Sequence, residues 1–338
     1  MWSFIKWTIP ILYNMSILKE RTILAVLCFC GISLIDTCSK VVFDDISDSG
    51  IIVDTVDTNR IGVVSSVDSI SSENVMLLSY KKINGDYITN KINRSGQGMA
   101  IKDGYLYRLY DTGICQVIDI SKIDSPKFMF SFELGSCMSN NHCNCAQFDN
   151  RRDSTILYIS SVKSLNGERG KCFVEKIEDQ HSILIQTISV EGISTLKKYK
   201  GVNIICGDDG YLWIFGYDID GKSIIYAKAR RPAIKEGKYI TLNDNDLLDY
   251  WYDSEYSYAN SVSQGGVIHK GRLYFVFGTT STNRHIVVYD IKSHEKIGDI
   301  NLNDIVKEEP EDIDFCGESM VLSIVKGGAY YILDFKNV

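Results

Sequence analysis

The same short phrase of chain returns between Gly96 and Val338: an apolar strand, an Asp-Gly or Lys-Gly turn, a Tyr/Phe-rich strand, and a further strand ending in Asp-Ile or Asp-Phe. Its clearest copies run over 98–120, 265–291 and 312–335. Self-similarity at roughly 40 to 50 residues, carried by strands instead of helices, predicts an all-β repeat fold, a β-propeller whose blades pack face to face around an axis. In Tyr105-Leu-Tyr-Arg-Leu-Tyr110 and Leu273-Tyr-Phe-Val-Phe277 both faces are apolar or aromatic, as a sheet held between two neighbours requires. A two-layer sandwich alternates more cleanly.

Four-stranded antiparallel units are countable at about 96–134, 142–191, 200–248, 260–304 and 309–336, which makes five, and 41–95 has the length for a sixth. The last unit holds three strands. A strand from the N-terminal side is expected to complete it, closing the ring and hiding two sheet edges that invite aggregation. Val75–Tyr80 and Tyr87–Ile92 flank an Asn84-Gly85 turn, and Tyr87–Ile92 is the expected closing strand. The best local candidate for a short helix is Asp244–Tyr252.

Lys19, Glu20 and Arg21 precede an apolar run from Thr22 to Ile35. The run suits a secretory signal and is shorter than the roughly 20 residues a spanning helix needs. Residues 1–37 therefore read as a signal peptide, with Met15 as an alternative start, 38–60 as a tether, and 61–338 as a single propeller domain. Leu34-Ile-Asp-Thr-Cys38 resembles a bacterial lipoprotein signal in which Cys38 is the lipidated residue, although Asp36 and Thr37 stand where that pattern favours small side chains. The resemblance implies export and a lipid anchor in the cell envelope, at the outer membrane or in the periplasm, with the lipid as the chain's membrane contact.

The formal net charge of -7, without a basic block, disfavours a phosphate-backbone partner, so no nucleic acid is expected. Four prolines and no Gly/Ser linker favour one domain, and a monomer is expected. Cys28, Cys30 and Cys38 aside, seven of the ten cysteines remain, an odd number that precludes complete pairing within the chain. Cys137 with Cys172 or Cys143 is the candidate bridge. Cys137, His142, Cys143 and Cys145 lack zinc-knuckle spacing, so no metal site is assigned and the thiols read as small apolar side chains.

In a propeller the innermost strand of each blade starts at one rim of the central channel, so polar residues there converge from distant parts of the sequence. Aligning the units places Gln97, Asn141 to Asn144, Asn203, Asn260 to Gln264 and Glu309-Pro-Glu-Asp312 at or near equivalent positions. The expected ligand-binding set is Gln97, Asn141, His142, Asn144, Gln264, Glu309, Glu311 and Trp251. Such oxygens and amides suit a sugar or peptide, or a divalent cation such as calcium in the channel; they also cap strands and hold channel water. An enzyme would draw its acid and base from His142, Glu311, Asp312 and Asp209, with Glu311 or Asp312 as His142's partner across the channel. Asp208-Asp209-Gly210 reads equally as a hairpin turn. Trp251 belongs to the aromatic, acidic run Asp249–Tyr258, which suits either stacking on sugar rings or plugging the gap between blades.

Gln97-Gly-Met-Ala-Ile101, Asp103–Gly113 and Asn141-His-Cys-Asn-Cys-Ala-Gln-Phe148, following a lipoprotein signal, resemble the extracytoplasmic propeller lipoproteins of Bacteroidetes-type bacteria. Glu309-Pro-Glu-Asp-Ile313 is similar to the lead-in to an inner strand in some lactonase-like and esterase-like propellers, with Asp312 where Gly is usual. Asp54-Thr-Val56 and Asp68-Ser-Ile70 resemble O-glycosylation sites of that bacterial group. These resemblances imply fold and location, an exported envelope propeller; the first functional expectation, from the axial residues, is that it binds a glycan, a peptide or an envelope protein at its axial rim. The alternative is a carbohydrate- or ester-active hydrolase or lyase built on the axial carboxylates and His142.

Overall fold

The Asp-Gly and Lys-Gly phrases are turns with a defined geometry. Asp103 and Gly104 have φ of 52° and 78°, and Lys270 and Gly271 have 50° and 76°. Two successive left-handed residues make a type I′ turn, whose twist matches that of the strands it joins. The computed structural model describes residues 61–63, 75–83, 95–111, 113–137, 141–149, 155–161, 170–325 and 329–337. The segments expected to be signal peptide (1–37) and tether (38–60), with Cys38, and the run Tyr87–Ile92 lie outside the described residues.

Five sheets surround a common axis. Blade 1 is β3 (Gly96–Lys102), β4 (Tyr105–Tyr110), β5 (Ile114–Asp119) and β6 (Lys127–Glu133). Blade 2 is β7 (Cys145–Phe148), β8 (Ile156–Ser161), β9 (Lys171–Glu178) and β10 (His181–Gly192). Blade 3 is β11 (Tyr199–Cys206), β12 (Leu212–Asp218), β13 (Ile224–Ala229) and β15 (Leu247–Asp253). Blade 4 is β16 (Ser263–His269), β17 (Arg272–Phe277), β18 (His285–Asp290) and β19 (Lys296–Asn301). Blade 5 is β20 (Pro310–Cys316), β21 (Ser319–Ile324), β22 (Tyr330–Lys336) and, from the N-terminal side, β2 (Met76–Ile83). The fold is a five-bladed propeller, and no sixth blade forms among the described residues.

The ring closes in space as well as in topology, because each pair of neighbouring blades shares its own apolar core. Leu109 and Val117 meet Leu157 and Ile159 between blades 1 and 2. Ile188 and Val190 meet Ile204 and Ile214 between blades 2 and 3, and Phe215 and Tyr226 meet Phe275 and Tyr289 between blades 3 and 4. Tyr274 and Val276 meet Ile313 and Leu322 between blades 4 and 5. Val321 and Ile332 meet Met99 and Leu106 between blades 5 and 1. Every blade is thus buried on both faces, which explains strands such as β8 whose residues are all buried.

Three expectations change in detail. The strand completing blade 5 is β2, paired antiparallel with β22, so the closing role belongs to the earlier of the two N-terminal runs. Asp244–Tyr252 is not a helix: a single 3-10 turn over Asp244–Asp246 leads directly into β15. The Asn243–Asp246 capping box satisfies one turn, and the chain then takes the outer position of blade 3. Cys143 and Cys172 are free, fully buried thiols, so neither bridges Cys137, and burial pushes the Cys172 thiol up to about 12.

Two edges gain additional strands. β14 (Tyr239–Asn243), from the connection between β13 and β15 of blade 3, pairs in parallel with β10 and so ties blade 3 to the outer edge of blade 2. β1 (Ile61–Val63) pairs with β2 on the outside of blade 5. Both additions cover backbone groups that an open edge would present to another chain.

Asp314 links blades 5 and 1. Its carboxylate accepts the N–H of Ile101 at 2.7 Å and that of Phe315 at 2.8 Å, and burial, outweighing those two bonds, pushes it up to about 7. The unfolded chain loses this proton near pH 4 while the folded chain keeps it until about pH 7, so the stabilisation is complete below pH 4 and falls across that window. The full span is worth roughly 4 kcal/mol. We expect the stability difference between wild type and Asp314→Asn, measured by urea unfolding from pH 4.5 to 8, to shift steadily against the wild type as pH rises. A flat difference would mean that Asp314 does not titrate in this window.

Candidate functional site

Four of the innermost strands carry a bulge near their start. In β3, Gln97 and Gly98 stand opposite the single residue Leu109, between the pairs Gly96↔Tyr110 and Met99↔Arg108. The matching bulges are Gln264-Gly265 in β16 and Glu311-Asp312 in β20, while β11 has its own at Gly201-Val202. At the entry to β7, Asn144 and Cys145 both meet Ser160. A bulge bends its strand and re-aims the residues it carries. Around the ring this sets Gln97, Asn144, Gln264 and Glu311 at the mouth and Gly98, Cys145, Gly265 and Asp312 beneath; in blade 3 Asn203 is buried beside blade 2, its Oδ1 accepting from Ser160 Oγ at 3.1 Å.

Asp312 fills the lower layer. One carboxylate oxygen accepts the N–H of Met99 at 2.9 Å and of Ala146 at 3.0 Å, so a single side chain of blade 5 holds the inner strands of blades 1 and 2. The other accepts the N–H of Ile313, and Asp312's own N–H donates to Ser323 Oγ. Gly265 explains how the group fits, since a Cβ there would stand 2.0 Å from Asp312 Oδ1. Burial drives this carboxyl well above the usual carboxylate range against the opposing pull of its three N–H donors. A hard cation needs oxygens turned toward it, and those of Asp312 are committed to N–H groups.

The mouth differs. Glu311 is 3% exposed and Gln97 6% exposed, and among the described residues neither side chain makes a hydrogen bond. Burial, then the neighbouring Glu309 and Asp312, push the Glu311 carboxyl well above its ordinary range, while Arg108 pulls the other way. Arg108 itself is fully buried, donating to the carbonyls of Ala329 at 2.8 Å and of Ile324, with its Nε unpaired. Gln264 Nε2 donates to the Gly278 carbonyl at 2.9 Å and to Glu309 Oε1 at 3.0 Å, setting Glu309 beside the mouth. Gly201, in the bulge of β11, takes the left-handed form at φ +59°, and a Cβ there would meet nothing within 4 Å.

The remaining candidates fall elsewhere. Asn141 is consumed locally, its Nδ2 donating to Ser136 Oγ and its Oδ1 accepting from the N–H of Cys143. His142 donates its N–H to Ser161 Oγ, and neither Glu311 nor Asp312 is bonded to it, so the expected partnership across the channel does not form. Asp209 lies in the turn after β11, at the opposite rim, where it receives the Tyr211 N–H and the Trp213 Nε1–H and pairs with Lys228 at 3.1 Å. Trp251 is in β15, not in a loop. Its ring stacks on Tyr226 at 5.1 Å and on His294 at 4.3 Å, plugging the seam between blades 3 and 4 away from the hub. Sequence reasoning overlooked Arg108, whose signal was a lone charge in the aromatic strand Tyr105–Tyr110.

No family model and no curated protein matches this chain. Among solved structures it is similar to an exo-β-1,3-galactanase from Clostridium thermocellum at 12% identity and a TM-score of 0.48, covering 77% of this chain and 62% of that one. It is similar to the glutaminyl cyclase of Myxococcus xanthus at 11% identity and a TM-score of 0.47, covering 78% and 97%. The tail fibre of Staphylococcus aureus phage P68 matches at 13% identity and a TM-score of 0.46, covering 75% and 52%. The chain therefore spans under two thirds of the galactanase, and likeness at this level carries no activity across.

Proposed function

We propose that the hub mouth binds a neutral, polyhydroxylated ligand, a glycan chain, and that the protein is an exported propeller held in the cell envelope through Cys38. The observation that carries the glycan reading is the pair Glu311 and Gln97, buried at the mouth without hydrogen-bond partners in the protein. Buried polar groups of this kind are stabilised when a ligand supplies the missing bonds. A protonated carboxyl and amides offer donors and acceptors without net charge, which suits hydroxyl groups better than phosphates or ammonium groups. The run of residues 19–38 supports the envelope location.

A glycan array followed by calorimetry on the best-bound neutral oligosaccharide tests this. Glu311→Ala and Gln97→Ala should each weaken binding about 10-fold, the worth of one buried hydrogen bond, whereas Glu311→Gln, a neutral replacement of the same shape, should bind nearly as well as wild type. Absence of binding to every neutral glycan, with a peptide or an envelope protein captured instead, would overturn the reading. A second reading is favoured by Glu311 being driven up by burial, with Glu309 beside it: a carboxyl that keeps its proton can act as the general acid of a hydrolase. There Glu311→Gln would abolish turnover while leaving affinity intact.

A further inference from the structure

On the same rim as the hub mouth, but sharing no residue with it, three side chains from different parts of blade 4 are aligned. Ser261, in the connection from blade 3, has its Oγ 3.1 Å from Nε2 of His285 at the start of β18. Nδ1 of the same imidazole is 3.2 Å from Oδ1 of Asp299 in β19. The far oxygen of Asp299 accepts from the Tyr256 hydroxyl at 2.8 Å. We propose that Ser261, His285 and Asp299 form an acyl-transfer centre that cleaves esters of small acyl groups.

The order of contacts carries the proposal. A hydroxyl on one ring nitrogen and a carboxylate on the other fix the tautomer in which Nδ1 keeps its proton and Nε2 is left as the base, the arrangement that activates a serine. The ring is also held mechanically, with the Tyr256 and Phe277 rings 5.1 and 5.3 Å away. The bonds from His285 and Tyr256, together with Lys296, outweigh burial and keep Asp299 below its ordinary range, so it stays ionised. Lys296 itself lies 3.9 Å from Asp299, 3.1 Å from the Tyr256 hydroxyl and against Glu255.

The serine backbone is fixed as firmly. The Ser261 N–H donates to the Ser257 carbonyl at 2.8 Å, and its own carbonyl accepts the Tyr217 hydroxyl. The N–H of Val262, the residue after the serine, donates to no group among the described residues. That is the donor an oxyanion would use at a serine nucleophile. Ser261 is 3% exposed, which restricts the acyl portion to something as slender as acetyl.

The chemistry balances without a cofactor. Ser261 Oγ bonds to the ester carbonyl carbon as its proton passes to His285 Nε2; the carbon–alkoxy bond then breaks and that proton leaves with the alcohol. Water attacks the acyl-serine, giving its proton to Nε2, and the carboxylic acid departs as Ser261 recovers its hydrogen. Purely structural hydrogen bonds tying the inter-blade connection to blade 4 would make the same contacts but would not react, and reactivity is the readout.

The full chain is incubated with a fluorophosphonate probe and with p-nitrophenyl acetate. Expected are a probe adduct on the Ser261 peptide by mass spectrometry and steady p-nitrophenol release, both falling at least about 100-fold in Ser261→Ala and His285→Ala. Asp299→Asn, a change to a positioning residue, should lower turnover with little change in KM, and Asp299→Glu should recover part of it. Melting curves establish that each variant is folded, and Ser261→Cys, which should take up the acyl group as a thioester, is a second variant against fold loss. No adduct on Ser261 in folded wild type, or hydrolysis by Ser261→Ala at the wild-type rate, overturns the proposal and leaves glycan binding at the hub untouched.

Discussion

Replacing Asp312 by Ala should cost about 3 to 5 kcal/mol, the largest effect of any single side chain at the hub. The substitution strips the acceptor from the Met99 and Ala146 N–H groups, both at fully or almost fully buried residues where water cannot substitute. It also leaves a hole in the lower hub layer beside Gly265, which contributes no side chain of its own. For a domain of this size a loss of that order lowers Tm by roughly 6 to 20 °C. Asp312→Asn is the informative control. With its amide oxygen turned to the two N–H groups it keeps both and gives up the bond from Ile313, so it should cost about 1 kcal/mol.

The pH dependence has a definite sign. Burial holds Asp312 above its ordinary range, so the folded chain keeps a proton that the unfolded chain has already released. Its stabilisation is therefore complete below about pH 4 and declines as pH rises toward the folded value. Urea unfolding at pH 5 and pH 8 should show a smaller gap between wild type and Asp312→Ala at the higher pH. A gap that instead widens with pH, or an Ala variant within 1 kcal/mol of wild type, would mean that the hub is held by its apolar layers alone.

The blades were legible because their signals are local. A type I′ turn needs left-handed residues, and Asp-Gly and Lys-Gly advertise them; a strand between two sheets must be apolar on both sides, and β4 and β17 are. The closing strand was harder. β2 and the run at 87–92 have comparable strand character, and what selects β2 is pairing with residues more than 250 positions away, such as Ser79 Oγ donating to Asp334 at 2.8 Å. The supposed helix at 244–252 failed for the opposite reason: a genuine capping box starts one turn, and the vacancy beside β13 then takes the chain.

At the hub, the repeats pointed to Gln97, Asn260 to Gln264 and Glu309 to Asp312, and of these Gln97, Gln264 and Glu311 stand in bulges that the sequence did not announce. In blade 3 the repeats pointed to Asn203, which lies two residues beyond Gly201 and is buried with its Oδ1 accepting from Ser160 Oγ. In blade 2 they took in the whole run from Asn141 to Asn144, of which Asn144 meets Ser160 beside Cys145. The Ser261, His285 and Asp299 alignment had no local signature at all, since a turn and two strands contribute one residue each.

Removing β2 should open the ring. The strand, with Val75 just before it, buries Val75, Leu77 and Ile83 to 4%, 8% and 1% exposure. At about 1.5 to 3 kcal/mol each their burial is worth roughly 4 to 9 kcal/mol, most of what a domain of this kind holds in reserve. Polar contacts reinforce the pairing: Lys82 forms an ion pair with Glu308, and Lys81 one with Asp124 of blade 1 at 2.8 Å. Without β2, the outer side of β22 becomes an exposed, largely apolar edge, a template for other chains. A chain starting at residue 84 should therefore lose its cooperative thermal transition and aggregate, and a synthetic peptide spanning 75–83 should restore both solubility and the transition. Leu77→Asp in the intact chain should weaken the same seam without altering its length. If the shortened chain instead melts as sharply and as high as the intact one, with no response to the peptide, the ring does not depend on this strand for closure.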